Sequence, residues 1–405
     1  MRRVSVAERR ARLAVRHRLA GDALAIGPED AARSLAAVHS TDPSSVYLAL
    51  AARMAPEPGT DRAPAAFASV ERALYEDRTL IRLLGMRRTV FVAPLDNAAL
   101  IQAACSRGVA ARERRKVLGW LGEAGVGGDP EAWLAGAEEA ALAALTARGE
   151  ATAAELAADD ARLATELVRA AGTKYEGRQT IASRVLLLLA AQGRAVRGRP
   201  RGSWTSHQYR WAPLTAWCPD GLADWDTAAA EVELARRWLA AYGPAMADDL
   251  QWWTGWGKTQ VRRVLTELAP AEVDLDGAAG IALAGDLEPA PATAPWVALL
   301  PGLDSTAMGW KERGWFLGEH GPRLFDRSGN AGPTLWWDGR VVGGWAQARD
   351  GEIVCRFLED AGSAAVTAAE AAAERLAAAL GTVRLTARTR GMTWLEEELA
   401  GSGGA

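Results

Sequence analysis

Met86-Arg87-Arg88-Thr89-Val90-Phe91-Val92-Ala93-Pro94 is the stretch that decides the expected fold, because two arginines lead into a run of β-branched and aromatic residues that predicts a strand. Helices that close on a β-ribbon are the layout of a winged-helix unit. The sequence therefore predicts such a unit over residues 1–94. Its amphipathic helical patterns lie at about residues 5–20, 29–38, 43–54 and 66–76.

A second unit of the same kind is predicted over residues 95–215. A helical pattern around Thr180–Gln192 stops at Gly193. The arginine-rich segment Arg194–Trp204 follows, and its glycines predict a hairpin that lays arginines along a DNA backbone or into the minor groove. A basic hairpin that only faces solvent is the alternative interpretation.

The rest of the sequence predicts a third helical unit and a C-terminal unit rich in strands. Over residues 216–271, two helical stripes separated by Gly255 and Gly257 fit a helix-turn-helix. Residues 272–400 predict a small β-barrel or sheet with one covering helix at about 366–380, and Asp338-Gly339 predicts a hairpin turn. The fold class is α+β and mostly helical. The predicted strands are Trp296–Leu300, Thr334–Trp337, Arg340–Trp345, Glu352–Phe357 and Val383–Arg388.

The basic residues are clustered, although the chain has a formal net charge of −3. Residues 174–211 carry eight basic residues against one acidic residue, a local charge of +7, so the remainder carries −10. Arginine forks suit phosphate contacts, which predicts a DNA-binding face. For Trp204, packing is the alternative to stacking near DNA. The candidate contacts are Arg87, Arg88, Arg194, Arg197, Arg199, Arg201, Trp204, His207 and Arg210.

Composition argues against several other classes of protein. Three widely spaced cysteines, none in a C-x-x-C pattern, argue against a disulfide framework and a structural zinc site. The N-terminal residues lack the apolar stretch of a secretory signal, and the longest apolar run, Val185–Ala191, is too short to cross a bilayer. We therefore expect a cytoplasmic, nucleoid-associated protein without a membrane partner and without a metal or other cofactor.

The segment Val38-His39-Ser40-Thr41-Asp42-Pro43 carries the candidate chemistry. Asp42 followed by Pro43 predicts a helix start, because the carboxylate accepts otherwise unpaired N–H groups and proline loses no helical bond there. The positive end of that helix disfavours imidazolium, which predicts a neutral His39 that accepts a proton or orients a water molecule. In the alternative interpretation, Asp42 only caps a helix and His39 is a polar residue that closes the preceding helix.

Four stretches together resemble the AlkZ/YcaQ-like winged-helix DNA glycosylases, and the resemblance extends over nearly the whole chain. They are Val38–Pro43, Leu84–Val90, Leu299–Asp304 and Asn330–Trp345. The resemblance implies three tandem winged-helix units around a C-terminal β-barrel. It also implies removal of bulky alkylated purines, including crosslinks left by DNA-alkylating natural products, and protection of the organisms that make such compounds.

The motif segment departs from the pattern of that family, whose members carry Gln-x-Gln or Gln-x-Asp where this chain has His39-Ser40-Thr41. The departure either changes how the nucleophilic water is held or marks a member that binds DNA without cutting it. The two hypotheses are therefore a DNA glycosylase and a non-catalytic winged-helix regulator or damage sensor. Non-identical tandem units argue against a dimeric reader of palindromes, so we expect a monomer on duplex DNA that carries alkylated bases.

The expected chemistry is hydrolysis of an N-glycosidic bond. Alkylation at N7 makes a purine cationic and a good leaving group, so the enzyme needs a held water and a stabilised oxocarbenium-like sugar. His39 would accept the water proton, Thr41 would share the water, and Asp42 would add negative charge. Asp304 is a further acidic candidate for the cavity, ranked below His39. A lyase step needs a lysine nucleophile, and none stands out, so we expect a monofunctional enzyme. The four lysines are Lys116, Lys174, Lys258 and Lys311.

Overall fold

The computed structural model describes residues 1–55, 62–126, 128–169, 177–291, 293–386 and 391–401. Within these residues the fold is a mixed α+β arrangement in which helices predominate, as predicted. The helices are α1 (Val6–Arg16), α2 (Pro28–Ser34), α3 (Pro43–Ala51), α4 (Arg62–Tyr75), α5 (Leu95–Ile101), α6 (Arg107–Glu123), α7 (Pro130–Arg148), α8 (Ala153–Asp159), α9 (Ile181–Ala191), α10 (Thr227–Tyr242), α11 (Ala247–Thr254), α12 (Lys258–Leu268), α13 (Gly314–Leu317), α14 (Gly321–Leu324), α15 (Ser363–Leu380) and α16 (Trp394–Gly401). The strands are β1 (Arg2–Arg3), β2 (Val38–His39), β3 (Leu80–Leu84), β4 (Val90–Pro94), β5 (Glu166–Arg169), β6 (Gly177–Thr180), β7 (Ala195–Pro200), β8 (Tyr209–Pro213), β9 (Ala271–Leu275), β10 (Ala278–Ala282), β11 (Val297–Leu300), β12 (Thr334–Trp337), β13 (Arg340–Gln347) and β14 (Ile353–Phe357).

The motif segment lies in an N-terminal set of six elements that runs α2, β2, α3, α4, β3, β4. Strand β4 is central in a three-stranded antiparallel sheet, with β2 and β3 on either side, and His39 is in register with Phe91. The helices predicted before Met86–Pro94 and the strand within that stretch are confirmed. Arg87 and Arg88 form the turn before β4, and both have φ in the left-handed region, at 53° and 62°.

The same order of elements recurs twice along the chain. The second set is α7, a bridge from Ala151 to Trp211, α8, α9, β7 and β8, with the β5–β6 hairpin inserted between α8 and α9. The third set is α10, a bridge from Ala245 to Ile281, α11, α12, β9 and β10. The predicted α9 helix, the predicted β7–β8 hairpin and the predicted pair α11–α12 are confirmed. Strand β1 runs parallel to β9, so the first residues of the chain join the third set.

The C-terminal strands form an antiparallel sheet in the order β11-β12-β13-β14. The turn at Asp338-Gly339 is confirmed, with both residues at positive φ, at 45° and 80°, which matches the twist of a two-residue hairpin. Of the barrel and the sheet that the sequence patterns allowed, the described residues form the sheet. The barrel that the resemblance implied is wrong for these residues, because β11 and β14 are the two edges of the sheet and do not pair with each other. Helix α15, predicted at about 366–380, packs against both edge strands and covers the sheet instead.

The strand predicted over Val383–Arg388 is not formed in its described part, residues 383–386, and residues 387–388 lie outside the described ranges. The side chain of Gln347 explains the difference. Its Nε2 donates to the carbonyl of Val383 at 3.0 Å, and its Oε1 accepts from the N–H of Leu385 at 2.9 Å. A side chain therefore satisfies backbone groups that a neighbouring strand would otherwise pair. Helix α16, which the sequence patterns did not predict, follows and packs on β13.

None of the described helices combines the length and the apolar character needed to span a bilayer. The described side chains include no group of three or more His, Cys, Asp or Glu residues arranged to hold a metal ion.

A buried ion pair joins the N-terminal set to the C-terminal sheet. Arg53, after α3, donates from Nη1 and Nη2 to both carboxylate oxygens of Asp304, at 3.0 and 2.7 Å. Both side chains are fully buried. Arg53 Nη2 also donates to the hydroxyl of Thr306 at 2.7 Å, and that hydroxyl lies 2.7 Å from Nδ1 of the buried His17. The pair therefore fixes the loop after β11 against α3, with every contact made inside the core.

Replacing Asp304 with Ala should lower the free energy of unfolding by about 3–5 kcal/mol, because it leaves the Arg53 charge buried without a counterion. The matched control is Asp159→Ala, which breaks an exposed ion pair with Arg148 and should lower the free energy of unfolding far less, because solvent screens exposed pairs. Denaturant unfolding of the three proteins makes the comparison. Equal, small losses in both variants would contradict the role given to the buried pair.

Candidate active site

Asp42 begins helix α3, as predicted, and uses one carboxylate oxygen to do so. Oδ1 accepts from the N–H of Ser44 at 3.1 Å and from its hydroxyl at 2.8 Å. Pro43 is the first helical residue. Within the described residues Oδ2 has no hydrogen-bond partner, so the carboxylate keeps one oxygen that capping does not use. Asp42 also lines a small cavity whose other walls include Gly302, Trp345 and Met392.

His39 lies in β2 with 7% of its surface exposed, and its ring packs edge-to-face against Phe91 at 5.4 Å. Its ring Nδ1 is buried and has no hydrogen-bond partner among the described residues. Burial, and secondly the positive charge of Arg87, lower the pKa of His39 to about 3. The expected neutral histidine is thus supported. The causes of the lowered pKa are burial and the charge of Arg87, and the contribution expected from the helix terminus stays a prediction.

The loop after β11 holds the motif segment in place. The hydroxyl of Ser305 accepts from the backbone N–H of His39 at 3.0 Å and donates to the carbonyl of Ala37 at 3.0 Å. One turn into α3, the hydroxyl of Ser45 donates to the carbonyl of Gly302 at 2.6 Å. Asp304 belongs to this loop and was expected to face the cavity, but it does not. That expectation was wrong, because Asp304 is 1% exposed and both of its oxygens are bound to Arg53.

Arg82 contacts the motif segment and was missed by the sequence patterns. It lies in β3, is 3% exposed, and donates from Nε to the hydroxyl of Ser40 at 2.8 Å. Its Nη1 donates to the hydroxyl of Tyr75 at 2.6 Å, and its guanidinium carbon lies 4.9 Å from the ring centroid of Tyr209. No carboxylate of the described chain forms an ion pair with it. The sequence did contain a sign of this role, because Arg82 is a charged residue inside the apolar run Leu80–Leu84. Charged side chains are seldom buried unless they have polar partners.

The predicted basic hairpin is largely neutralised by neighbouring acids. Three of its arginines form ion pairs, and Arg197 stacks between the rings of Tyr209 and Trp211 at 5.2 and 5.3 Å. Arg201 is exposed and has no ion pair within the described residues. The pairs are Arg194 with Glu139, Arg199 with Glu71 and Glu76, and Arg210 with Glu150 and Glu155.

The two other predicted residues of the hairpin are half-buried. Trp204 packs on the rings of Tyr47 and Phe67 at 4.9 and 5.1 Å, which agrees with the packing alternative. The Nε2 of His207 is buried and has no hydrogen-bond partner among the described residues. The tip of the hairpin therefore packs on α4 and on α3, the helix that Asp42 begins.

Arg87 and Arg88 lie in the turn between β3 and β4. Strand β4 pairs with β2, the strand that holds His39. Arg88 pairs with Glu113 at 2.9 Å. Arg87 lies over Trp252, with its guanidinium carbon 4.0 Å from the ring centroid. Trp253 and Trp256 are buried in the core, and Trp252 is half-buried and packs against it.

Comparison with known proteins identifies the class of enzyme to which this chain belongs, the enzymes that cleave the glycosidic bonds of DNA. The chain belongs to the AlkZ-like DNA glycosylase family, whose model matches residues 32–379. The solved structure of the Streptomyces sahachiroi DNA glycosylase AlkZ is similar, with a TM-score of 0.71 over 95% of this chain and 98% of that chain. The two sequences are 22% identical, so this likeness concerns the fold. Among curated proteins, none matches the sequence. The protein is a DNA glycosylase.

The lowered pKa of His39 makes folding stability depend on pH in a stated direction. The folded state binds the proton less readily than the unfolded chain, so its stability is complete above about pH 6.5 and is lost as the pH falls toward 3. Between pH 7 and 5 the wild-type protein should lose about 2 kcal/mol more than the His39→Gln variant, which keeps a polar side chain but does not titrate. Denaturant unfolding at both pH values tests this. Equal losses would show that His39 titrates normally in the folded protein.

Proposed function

We propose that the protein is a monofunctional DNA glycosylase that hydrolyses the N-glycosidic bond of bulky N7-alkylated purines. The observation that carries this proposal is the pairing of a neutral His39, whose ring nitrogen the fold does not use, with Asp42, whose Oδ2 capping does not use. Membership of the AlkZ-like family supports the glycosylase activity, and the resemblance of the four sequence stretches to the AlkZ/YcaQ-like enzymes is the basis for the substrate class. Adducts of a genotoxic natural product, against which the enzyme would protect its host at the nucleoid, fit this class.

We infer further that each of the three six-element sets is a winged-helix unit. The order helix, strand, helix, helix, strand, strand is common to all three, and it supports that assignment. The unit boundaries at residues 94, 215 and 271 and the monomeric state remain predictions. In this arrangement the first unit carries the motif segment. The loop after β11 of the C-terminal sheet holds that segment through hydrogen bonds to His39 and Ser45.

The proposed reaction adds one water molecule to the sugar. An N7-alkylated purine is cationic, so it leaves C1′ with the electron pair of the glycosidic bond and becomes neutral. A histidine with a pKa of about 3 is a weak base, so His39 orients the water by hydrogen bonding. The free oxygen of Asp42 stabilises the positive sugar and takes the proton that the water loses as it bonds to C1′. The half-buried Thr41 shares the water through its hydroxyl.

Incubation with a duplex that holds a single bulky N7-alkylguanine should release the modified base and leave an abasic site. His39→Ala should slow single-turnover excision by about 10²-fold, and Thr41→Ala should slow it less. Asp42→Asn should slow excision by at least about 10²-fold. Between pH 6 and 8 the rate should not follow a histidine titration, because His39 stays neutral throughout.

Asp42→Asn carries its own control, because asparagine caps helices as well as aspartate does. Its unfolding free energy should match that of the wild-type protein, so a lost rate reports the missing carboxylate. Wild-type protein that binds several bulky adducts tightly but leaves no abasic site would overturn the proposal. The non-catalytic DNA-binding alternative would then account for the His39-Ser40-Thr41 departure.

The basic hairpin should contribute to DNA affinity through Arg201, which is exposed and forms no ion pair with the described residues. Arg201→Gln should lower the magnitude of the slope of log affinity against log salt by about 0.9, because it removes one phosphate contact. Arg199→Gln should lower the slope less, because Glu71 and Glu76 already neutralise Arg199. Titrations of undamaged duplex at several salt concentrations compare the two variants. Identical slopes in both variants and in the wild-type protein would mean that the hairpin only faces solvent.

A further inference from the structure

Trp252 lies under two arginines that come from distant parts of the chain. The guanidinium carbon of Arg87 is 4.0 Å from the ring centroid, and that of Arg313 is 4.8 Å from it. Arg87 belongs to the turn before β4, Trp252 to α11, and Arg313 to the segment that leads into α13. Three parts of the fold, the first set, the third set and the C-terminal region, therefore meet at one aromatic ring.

Neither arginine has a carboxylate within ion-pair distance in the described chain. Arg313 donates from Nε to the carbonyl of Trp310 at 3.0 Å. Burial, and secondly the charge of Arg87, lower the pKa of Arg313 to about 10, while Asp249 and Glu312 act against this from a longer range. Like charges so close to each other repel, and partial burial strengthens the repulsion. This contrasts with the basic hairpin, where three arginines are paired with acids.

The backbone at this place is shaped to allow the approach. Arg87 adopts φ 53° and ψ 26°, a left-handed conformation that is uncommon for a residue with a side chain. Gly255, at φ 74°, ends α11 directly opposite. A Cβ on Gly255 would lie 2.8 Å from the Cγ of Arg87, so only glycine leaves room for the arginine stem. Both features hold Arg87 over Trp252 at a cost in local strain.

We propose that Arg87, Trp252 and Arg313 form a platform that binds phosphates of the DNA strand carrying the lesion, beside His39. No described carboxylate forms an ion pair with either guanidinium group, and the phosphates of DNA would supply that negative charge. A planar guanidinium group can bind two phosphate oxygens at once. The indole ring holds both forks in place through cation–π contacts. Arg87 also lowers the pKa of His39, so the platform lies within electrostatic reach of the motif. This inference rests on the proposed function, because it names how that site grips its substrate.

The test is a salt titration of DNA binding by the full chain. The probes are an undamaged duplex and the same duplex with a tetrahydrofuran abasic site, followed by anisotropy over salt concentrations of about 50–300 mM. Arg87→Gln and Arg313→Gln should each lower the magnitude of the salt slope by about 0.9 and weaken binding roughly 3- to 10-fold at 0.1 M salt. The lysine variants Arg87→Lys and Arg313→Lys should keep the slope, because they keep the charge.

Arg323→Gln is the matched control. Arg323 lies over Trp394 at 4.2 Å in the same geometry, but it is paired with Glu398 at 2.8 Å. Its replacement should leave the slope and the affinity unchanged. An unchanged slope in the Arg87→Gln/Arg313→Gln double variant, or an equal fall in the control, would overturn the platform.

The failure of the platform and the failure of the proposed function give different results. Slopes that fall as expected in a protein that never excises a base would support the platform and overturn the chemistry. Normal excision together with unchanged slopes would support the proposed function and overturn the platform. A wild-type protein without salt-dependent affinity for duplex DNA would overturn both.

Discussion

The fully buried ion pair between Arg53 and Asp304 is the constraint on which the candidate active site depends. A buried pair is stable only where its geometry is good and most of its donors are bonded. Here the two Nη groups of Arg53 donate to both carboxylate oxygens of Asp304, to a carbonyl and to the hydroxyl of Thr306, and only Nε lacks a partner among the described residues. The pair fixes the loop after β11. Ser305 of that loop then holds the backbone of His39, and Gly302 accepts from Ser45. The C-terminal sheet thus takes part in shaping a motif that lies more than 250 residues earlier in the chain.

Features that depend on neighbouring residues could be predicted from the sequence. The cap at Asp42 and Pro43, the Asp338-Gly339 turn and the helical stripes of α11 and α12 all follow from local hydrogen bonding or periodicity, and all are present. The family could also be identified from four short stretches. The sequence could not decide between an open sheet and a closed barrel. Alternating apolar residues predict strands, but they do not show whether the two edge strands pair with each other.

Features that depend on contacts across the chain could not be predicted. Nothing local distinguishes Asp304, a buried partner of Arg53, from an acid that faces a cavity. The same holds for Trp252, which packs against the core and also lies under two arginines from distant parts of the chain. Charge clusters in the sequence were also a poor guide to unbalanced charge in space. Three arginines of the basic hairpin are paired with acids. Arg87 and Arg313, far apart in the sequence, share one ring and form no ion pair with any described residue.

The most direct test of the account is the position of the target sugar in a structure of the protein bound to a duplex with a tetrahydrofuran abasic site. If the motif segment holds the water that attacks the glycosidic bond, the carbon equivalent to C1′ should lie within about 5 Å of Asp42 Oδ2, near enough for one water to bridge them, with the His39 ring at the same water. The strand beside it should cross the Arg87 and Arg313 side of the motif. A sugar bound far from the segment His39–Asp42, against the basic hairpin or elsewhere, would contradict the account.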